Sequence, residues 1–426
     1  MKPEMNICQS TEHTILENKE TSNFCPSCSS LNEILGSKKI VLLGEQTHGE
    51  GTVFITKIKL IKHLHQNLGF NILTFESNFY DLYQAWKDIE NGAAVDTTLV
   101  ESIFGIWSIK SELTDLYNYI ESTLETDHPL MVLGFEPQIY SKYTADNFTI
   151  DLEKYLKSEK INFDSKRFQH LQVNLRYLIG RNKKAFKKND PTMDIQFLKD
   201  VQEQIKDKKD IKSCFWKQSI ISFIWFLNQR DGVKNQSQRD FHMASNFDWI
   251  VDQYPEAKII GWGATGHFIH NSEQINFKSP IIQLAGNYIR KTEMMGDFLK
   301  DSYGDEVYIV AFTAQQGFAR PFNSLVKIKP SEAGSLEYEL NKLSGESIFI
   351  DLDSNEHLWN LPSRPLGHKY IKTGLQQIAD GVIFNKNINP PKTDYNMAHY
   401  LYPRNKFFKE KLEEENNSKP EINRWP

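Results

Sequence analysis

Across its 426 residues the chain has no apolar run of about 18, the length that crosses a bilayer as a helix. Its opening stretch, MKPEMNICQSTEHTILENKE, has neither an apolar core segment nor a small-residue cleavage pattern. The sequence therefore predicts no spanning helix, no membrane partner and no secretory signal, and a cytoplasmic location is expected. Cysteine is scarce: four residues, Cys8, Cys25, Cys28 and Cys214, are too few and too uneven for a disulfide framework. Cys25-Pro26-Ser27-Cys28 is a lone CxxC, without the second pair of a four-sulfur zinc site or the preceding strand of a redox motif, and it reads as a loop near the first helix. A basic surplus is absent too. Lys and Arg number 50 against 55 Asp and Glu, for a net charge of -5, which argues against a nucleic-acid footprint. No G-x-S-x-G occurs, which disfavours a covalent serine triad.

What is present is an ordinary globular mixture, 39% hydrophobic and 25% charged. Lys39-Ile40-Val41-Leu42-Leu43 is a short apolar run that reads as a strand covered on both faces. A polar turn from Gly44 to Gly51 follows. Phe54, Ile58, Ile61, Leu64 and Leu68 then recur at helical spacing, and Gly69 is placed to stop that helix. Ile72-Leu73-Thr74-Phe75-Glu76 is the next strand, completing a βαβ unit. Phe79, Leu82, Tyr83, Trp86 and Ile89 suggest a helix, as does the stretch from Leu113 to Leu124. Strand patterns return at Pro129 to Phe135, Lys258 to Trp262, Pro280 to Leu284 and Val307 to Phe312. Further runs at Ser347 to Ile350 and Gly381 to Phe384 complete or edge the sheet.

This alternation predicts an α/β fold, doubly wound, with a mostly parallel central sheet flanked by helices. Between residues 141 and 238 glycine is nearly absent, lysine and aspartate become dense, and helical stripes persist at Phe168, Leu171, Leu175 and Leu178 and from Trp216 to Leu227. A helical insertion is expected there, separating core segments 29–140 and 239–400. A charged tail over 401–426 is expected to fray from Glu410.

Reactive groups in open α/β sheets gather at the carboxyl ends of strands. Glu45 and His48 follow the first strand, Glu76 ends the second, and His267 lies in the glycine-rich turn Gly261-Trp262-Gly263-Ala264-Thr265-Gly266-His267. A histidine beside a carboxylate suits proton abstraction from water, because its pKa lies near neutrality and the acid fixes its tautomer. A second carboxylate can orient the water or act as an acid. The amides of Thr265 and Gly266 are candidates for a supporting or substrate-binding role, and Arg239, next to Asp240 at the start of a helix, is a candidate to face the cleft. The glycine-rich turn matches neither a phosphate loop nor a dinucleotide fingerprint, so no cofactor is expected. His63 and His65 are placed in the first helix as packing or surface residues.

Gly44-Glu45-Gln46-Thr47-His48-Gly49 resembles the opening motif of the erythromycin esterase family. Phe75-Glu76-Ser77, Gly134-Phe135-Glu136-Pro137-Gln138, Arg239-Asp240 with Met243, Ala244 and Asn246, the tryptophan loop ending in His267, and Gly286 with Gly296 follow in the family's order. The resemblance runs from about residue 29 to 400. It implies metal-independent hydrolysis, of a macrolide lactone in the family's best-known members, by histidine-activated water, with Glu45, His48, Glu76 and His267 in the catalytic positions and a tie to antibiotic resistance; for this chain, hydrolysis of an ester or lactone is expected. The chain departs from the pattern at Ala264 and Thr265, where the family carries histidine and asparagine, and weak action on macrolide lactones is expected. Two other readings stay open on the residues: hydrolysis assisted by zinc or manganese held by the same Glu and His side chains, and a small-molecule binding protein without turnover. The small-molecule ligand is not named by the sequence, nor is the oligomeric state.

Overall fold

The computed structural model describes residues 14–15, 29–179, 190–229, 236–285, 291–321 and 324–418. They divide into two compact units. The first is built from Met1–Thr74, Gln236–Ala244 and Glu256–Pro391, the second from Phe75–Asn235, Ser245–Pro255 and Lys392–Pro426. Cys25 and Cys28 lie outside the described residues.

The first unit is organised by a twisted sheet whose centre is parallel. Strand β1 is Thr14–Ile15, and β2 is Ile40–Glu45, whose Ile40, Val41, Leu42 and Leu43 are wholly buried. Burial on both faces explains why this strand is continuously apolar rather than alternating. Strand β3, Phe70–Asn78, starts in this unit, and β5 (Lys258–Ala264) and β6 (Val307–Ala319) run parallel to β2 on its two sides, with Ile40 opposite both Ile259 and Val307. Beyond β6 lie β11 (Gly381–Ile388), parallel to it, then β8 (Ser347–Asp351) and β1, both antiparallel to their neighbours. The resulting order is β1-β8-β11-β6-β2-β5-β3, with β7 (Val326–Ile328) folded back on the end of β6. A separate hairpin joins β9 (Ser363–Leu366) to β10 (Lys369–Ile371). The architecture is thus doubly wound α/β with a mixed, mostly parallel central sheet flanked by helices.

The helix Gly51–Leu68 closes the first crossover, and its stripe of Phe54, Ile58, Ile61 and Leu64 is buried. Each such side chain contributes about 1.5–3 kcal/mol relative to exposure. Gly69 ends the helix at φ 74, a left-handed conformation that glycine adopts without a Cβ penalty.

In the second unit β3 continues from Phe75, β4 (Met131–Glu136) lies beside it, and helices Lys142–Ser158, Ser165–Ile179, Thr192–Ile205 and Ile211–Asn228 follow. Aromatic contacts hold them: Phe148 stacks on Phe223 at 3.6 Å between centroids, and Tyr83 stacks on Phe215 at 4.0 Å. Such pairs add to area burial.

Two expectations are corrected. Pro280 to Leu284 is a helix, Pro280–Ala285, with Ile281 81% and Leu284 75% exposed. Proline at the first helical position presets φ and has no N–H to lose, and a short apolar run does not distinguish strand from helix. The tail is helical over Lys406–Ser418 rather than frayed from Glu410, with opposite charges three or four residues apart at Lys409–Glu413 and Lys411–Glu414.

Candidate functional site

Because β2, β5 and β6 are parallel, their carboxyl ends lie at one edge of the sheet, and the loops leaving β2 and β5 touch. A Cβ on Gly44 would stand 2.7 Å from the Cα of Thr265, so only glycine permits the approach. Thr265, wholly buried, donates its hydroxyl to the Gly44 carbonyl at 2.6 Å and pins the two loops together. Gly266 follows it, with open space where a Cβ would stand.

Glu45 is the last residue of β2 and is fully buried. Its Oε1 accepts from His48 Nδ1 at 3.1 Å, and its Oε2 is ion-paired with Lys57 Nζ. The His48 side chain keeps 20% of its surface exposed while that of Glu45 keeps none. Lys57 is buried in the helix Gly51–Leu68, donates also to the Gly263 carbonyl at 3.1 Å, and lies 4.8 Å from the centre of the Trp262 ring. The lysine compensates a carboxylate that burial would otherwise strongly disfavour. With Nδ1–H committed to Glu45, the basic lone pair of neutral His48 resides on Nε2.

A second constellation forms where the helix Gln236–Gln253 begins. Asp240, wholly buried, accepts from His267 Nδ1 at 2.7 Å and from the Met295 amide at 3.2 Å. Arg239 Nη1 lies 3.1 Å from His267 Nε2. A guanidinium has no acceptor, so Nε2 must receive this bond and the ring proton sits on Nδ1. Arg239, Asp240 and His267 therefore form one chain of hydrogen bonds, in which the position of one atom fixes the next.

Six of the residues predicted from sequence, Glu45, His48, Arg239, Thr265, Gly266 and His267, fall in the first unit. Glu76 belongs to the second, where it ends the apolar part of β3 and is 3% exposed. Nearby Asn78 caps the helix Phe79–Glu90 by accepting from the Asp81 amide at 3.1 Å. Of the family-patterned residues there, Glu136 accepts from the Gln138 amide at 2.9 Å, and Asn246 donates to the Phe135 carbonyl at 3.0 Å while accepting from Gln218 at 2.7 Å. These bonds satisfy buried polar groups within that unit. Sequence reasoning missed Lys57. The available signal was a lysine inside the apolar stripe, one position before Ile58 and three after Phe54.

The B. subtilis (strain 168) protein YbfO, whose name marks its hydrolase assignment as provisional, is 24% identical over 416 residues, covering 84% of this chain and 86% of its own. Among solved structures, a Bacillus cereus protein superposes with a TM-score of 0.67 at 17% identity, covering 89% of this chain and 96% of its own. One described as a succinoglycan biosynthesis protein gives a TM-score of 0.67 at 15% identity, over 89% and 95%. A histidine-to-asparagine mutant of the erythromycin esterase EreC, in its open conformation, gives 0.64 at 16% identity, over 89% and 97%. At these identities the superpositions establish the fold. The sequence model named Erythromycin esterase matches residues 65–388, a stretch that holds Glu76, Arg239 and His267 and begins after Glu45 and His48, and on that match the chain belongs to the erythromycin esterase family.

Proposed function

We propose that this chain hydrolyses an ester or lactone bond of a small organic molecule, with His48 as the base that activates water. The observation that carries the reading is the His48–Glu45–Lys57 arrangement. A partly exposed imidazole is held in one tautomer by a fully buried carboxylate, and a buried lysine neutralises that carboxylate in turn. When His48 Nε2 takes a proton from water, the imidazolium formed is stabilised by Glu45 across the 3.1 Å contact. Arg239, oriented by His267, is assigned the polarisation of the acyl oxygen, the role that fixed cationic donors fill where negative charge develops. Glu76 is retained as a candidate on its own burial and is tested by its own substitution. Ala264 and Thr265 stand where the family has histidine and asparagine, which directs the proposal toward esters and lactones other than macrolides.

Metal assistance has less support. Among the described residues no three His, Cys, Asp or Glu side chains gather as a ligand set, and the positive charge beside Glu45 is Lys57.

The test is steady-state hydrolysis of a panel of p-nitrophenyl esters, simple lactones and one macrolide by the full chain and by His48→Ala. The substitution is expected to lower kcat/KM by roughly 10²–10⁴, the range for a positioned acid or base, with the thermal transition unchanged. Equal kcat/KM in both proteins removes His48 from the mechanism. Tight binding of a panel member without product, over long incubation, identifies a binding protein instead.

A further inference from the structure

The loop that carries His48 is fastened by the β9–β10 hairpin and by the ends of β6 and β11. The Gln46 carbonyl accepts from the Gly367 amide at 3.1 Å, and Gln46 Nε2 donates to the Arg364 carbonyl at 2.9 Å. The Gly49 carbonyl accepts from the Arg320 amide at 2.8 Å, and the Gly51 amide donates to the Asn389 carbonyl at 2.8 Å. Gly49 has no room for a side chain, since a Cβ would meet the Arg320 backbone at 2.4 Å.

Glu50 closes the loop from inside. Its side chain is fully buried, and it turns back to accept from the Thr47 amide at 3.0 Å and from the Thr47 hydroxyl. That hydroxyl also accepts from the Gly49 amide at 3.2 Å, so the carboxylate organises the residues on both sides of His48. The remaining partner of Glu50 among the described residues is His368, whose Nε2 donates to Oε1 at 2.9 Å. His368 comes from the two-residue turn of the hairpin, where Lys369 pairs with Leu366 and both Gly367 and His368 have φ 57. Positive φ at both positions is the type I′ turn, which favours Gly, Asn and Asp. A histidine there accepts an uncommon backbone conformation, and its side chain, 8% exposed, points to Glu50 rather than to solvent.

We propose that Glu50 and His368 form a positioning pair that holds the His48 loop in its working geometry. The inference rests on His48 being the base, and it adds two residues that sequence motifs do not connect. Neither is assigned contact with substrate. Their effect passes through the loop, and a shift of about 1 Å in a reacting group can cost on the order of a hundredfold in rate.

The experiment compares the full chain with His368→Gly and His368→Gln. Glycine is the residue that φ 57 favours, so His368→Gly relieves the backbone while removing the imidazole, and loss of fold is not the expected outcome. Gln returns an N–H donor at a similar reach. Amide hydrogen exchange at Thr47 and Gly49 is expected to be at least about tenfold faster in His368→Gly and to slow again in His368→Gln. On p-nitrophenyl acetate, kcat is expected to fall about ten- to a hundredfold with KM within about twofold, and to recover in His368→Gln. Exchange at Thr47 and Gly49 unchanged in His368→Gly overturns the positioning role, whatever the activity. Exchange that accelerates with kcat unaltered overturns its link to catalysis. The hydrolytic reading fails separately, through an unchanged kcat/KM in His48→Ala.

Discussion

His48 and His267 each direct Nδ1 at a buried carboxylate, at 3.1 Å from Glu45 and 2.7 Å from Asp240, yet the two acids are balanced in different ways. Behind His48 the balancing cation is Lys57, on the far oxygen of Glu45, so the charge lies behind the acid and the imidazole stands in front of it. At His267 the cation is Arg239, on the far nitrogen of the ring itself. A proton arriving at His48 meets a compensated carboxylate prepared to stabilise it. A proton arriving at His267 Nε2 would have to displace a guanidinium N–H. Under the proposed function the same residue type, paired with the same chemistry, serves proton transfer in one place and holds an arginine in the other.

Breaking the compensation behind His48 carries the largest expected effect. Lys57→Met leaves the wholly buried Glu45 without its cation, and removing one partner of a buried pair costs about 3–5 kcal/mol. Calorimetry or urea unfolding measures this directly. The double substitution Lys57→Met with Glu45→Gln removes both charges and is expected to recover most of the stability, while hydrolysis stays low because His48 has lost its anionic partner. A single Lys57→Met as stable as the parent would show that the ion pair does not hold Glu45.

The arginine-holding histidine predicts a smaller effect of a different kind. Asp240→Ala removes the oxygen that accepts both from His267 Nδ1 and from the Met295 amide, so the imidazole loses the group that fixes its tautomer and orientation. The chain of bonds is broken at its buried end. Hydrolysis of the best p-nitrophenyl ester is expected to fall about ten- to a hundredfold in kcat/KM, less than for His48→Ala, with modest loss of stability. A loss equal to that of His48→Ala would reverse the contrast between the histidines.

How much of this was legible in the sequence follows from sequence separation. Glu45 and His48 are three residues apart at a strand end, and an apolar strand, a polar loop and a helical stripe were enough to place them. Asp240 and His267 lie 27 positions apart, and reading residues 239–240 as a charge pair opening a helix gave no sign that the acid turns to a histidine on another loop. His368 is 318 positions from Glu50 and carries no local signal beyond its place in a hairpin turn. Lys57 is hidden for another reason: helical periodicity is carried by the apolar members of the stripe, and a lysine among them looks like any solvated helix residue until its burial beside Glu45 is seen. The misread run from Pro280 to Leu284 shows the converse, apolar residues that the fold leaves exposed.

A third buried acid sharpens the comparison, because it has neither histidine nor cation as a hydrogen-bond partner. Asp81, in the second unit, is wholly buried and takes side-chain hydrogen bonds, among the described residues, from the Ser141 and Thr144 hydroxyls and from no charged group. Burial raises its pKa from 3.8 to about 7, and the two hydroxyls offset only part of that. The folded pKa is raised, so below about 3.8 the group is protonated in both states and has no effect on the balance. As pH rises from there to about 7, the unfolded chain releases its proton while the folded chain keeps it, and stability falls across that window. Asp81→Asn removes the slope. The variant is expected to match the parent near pH 4 and to exceed it at pH 8 by on the order of a few kcal/mol, with the difference growing between those limits. Urea unfolding of both proteins across that range gives the curve. A constant difference between the two proteins from pH 4 to pH 8 would mean that Asp81 titrates alike folded and unfolded, and that hydroxyls alone can hold a buried carboxylate as Lys57 holds Glu45.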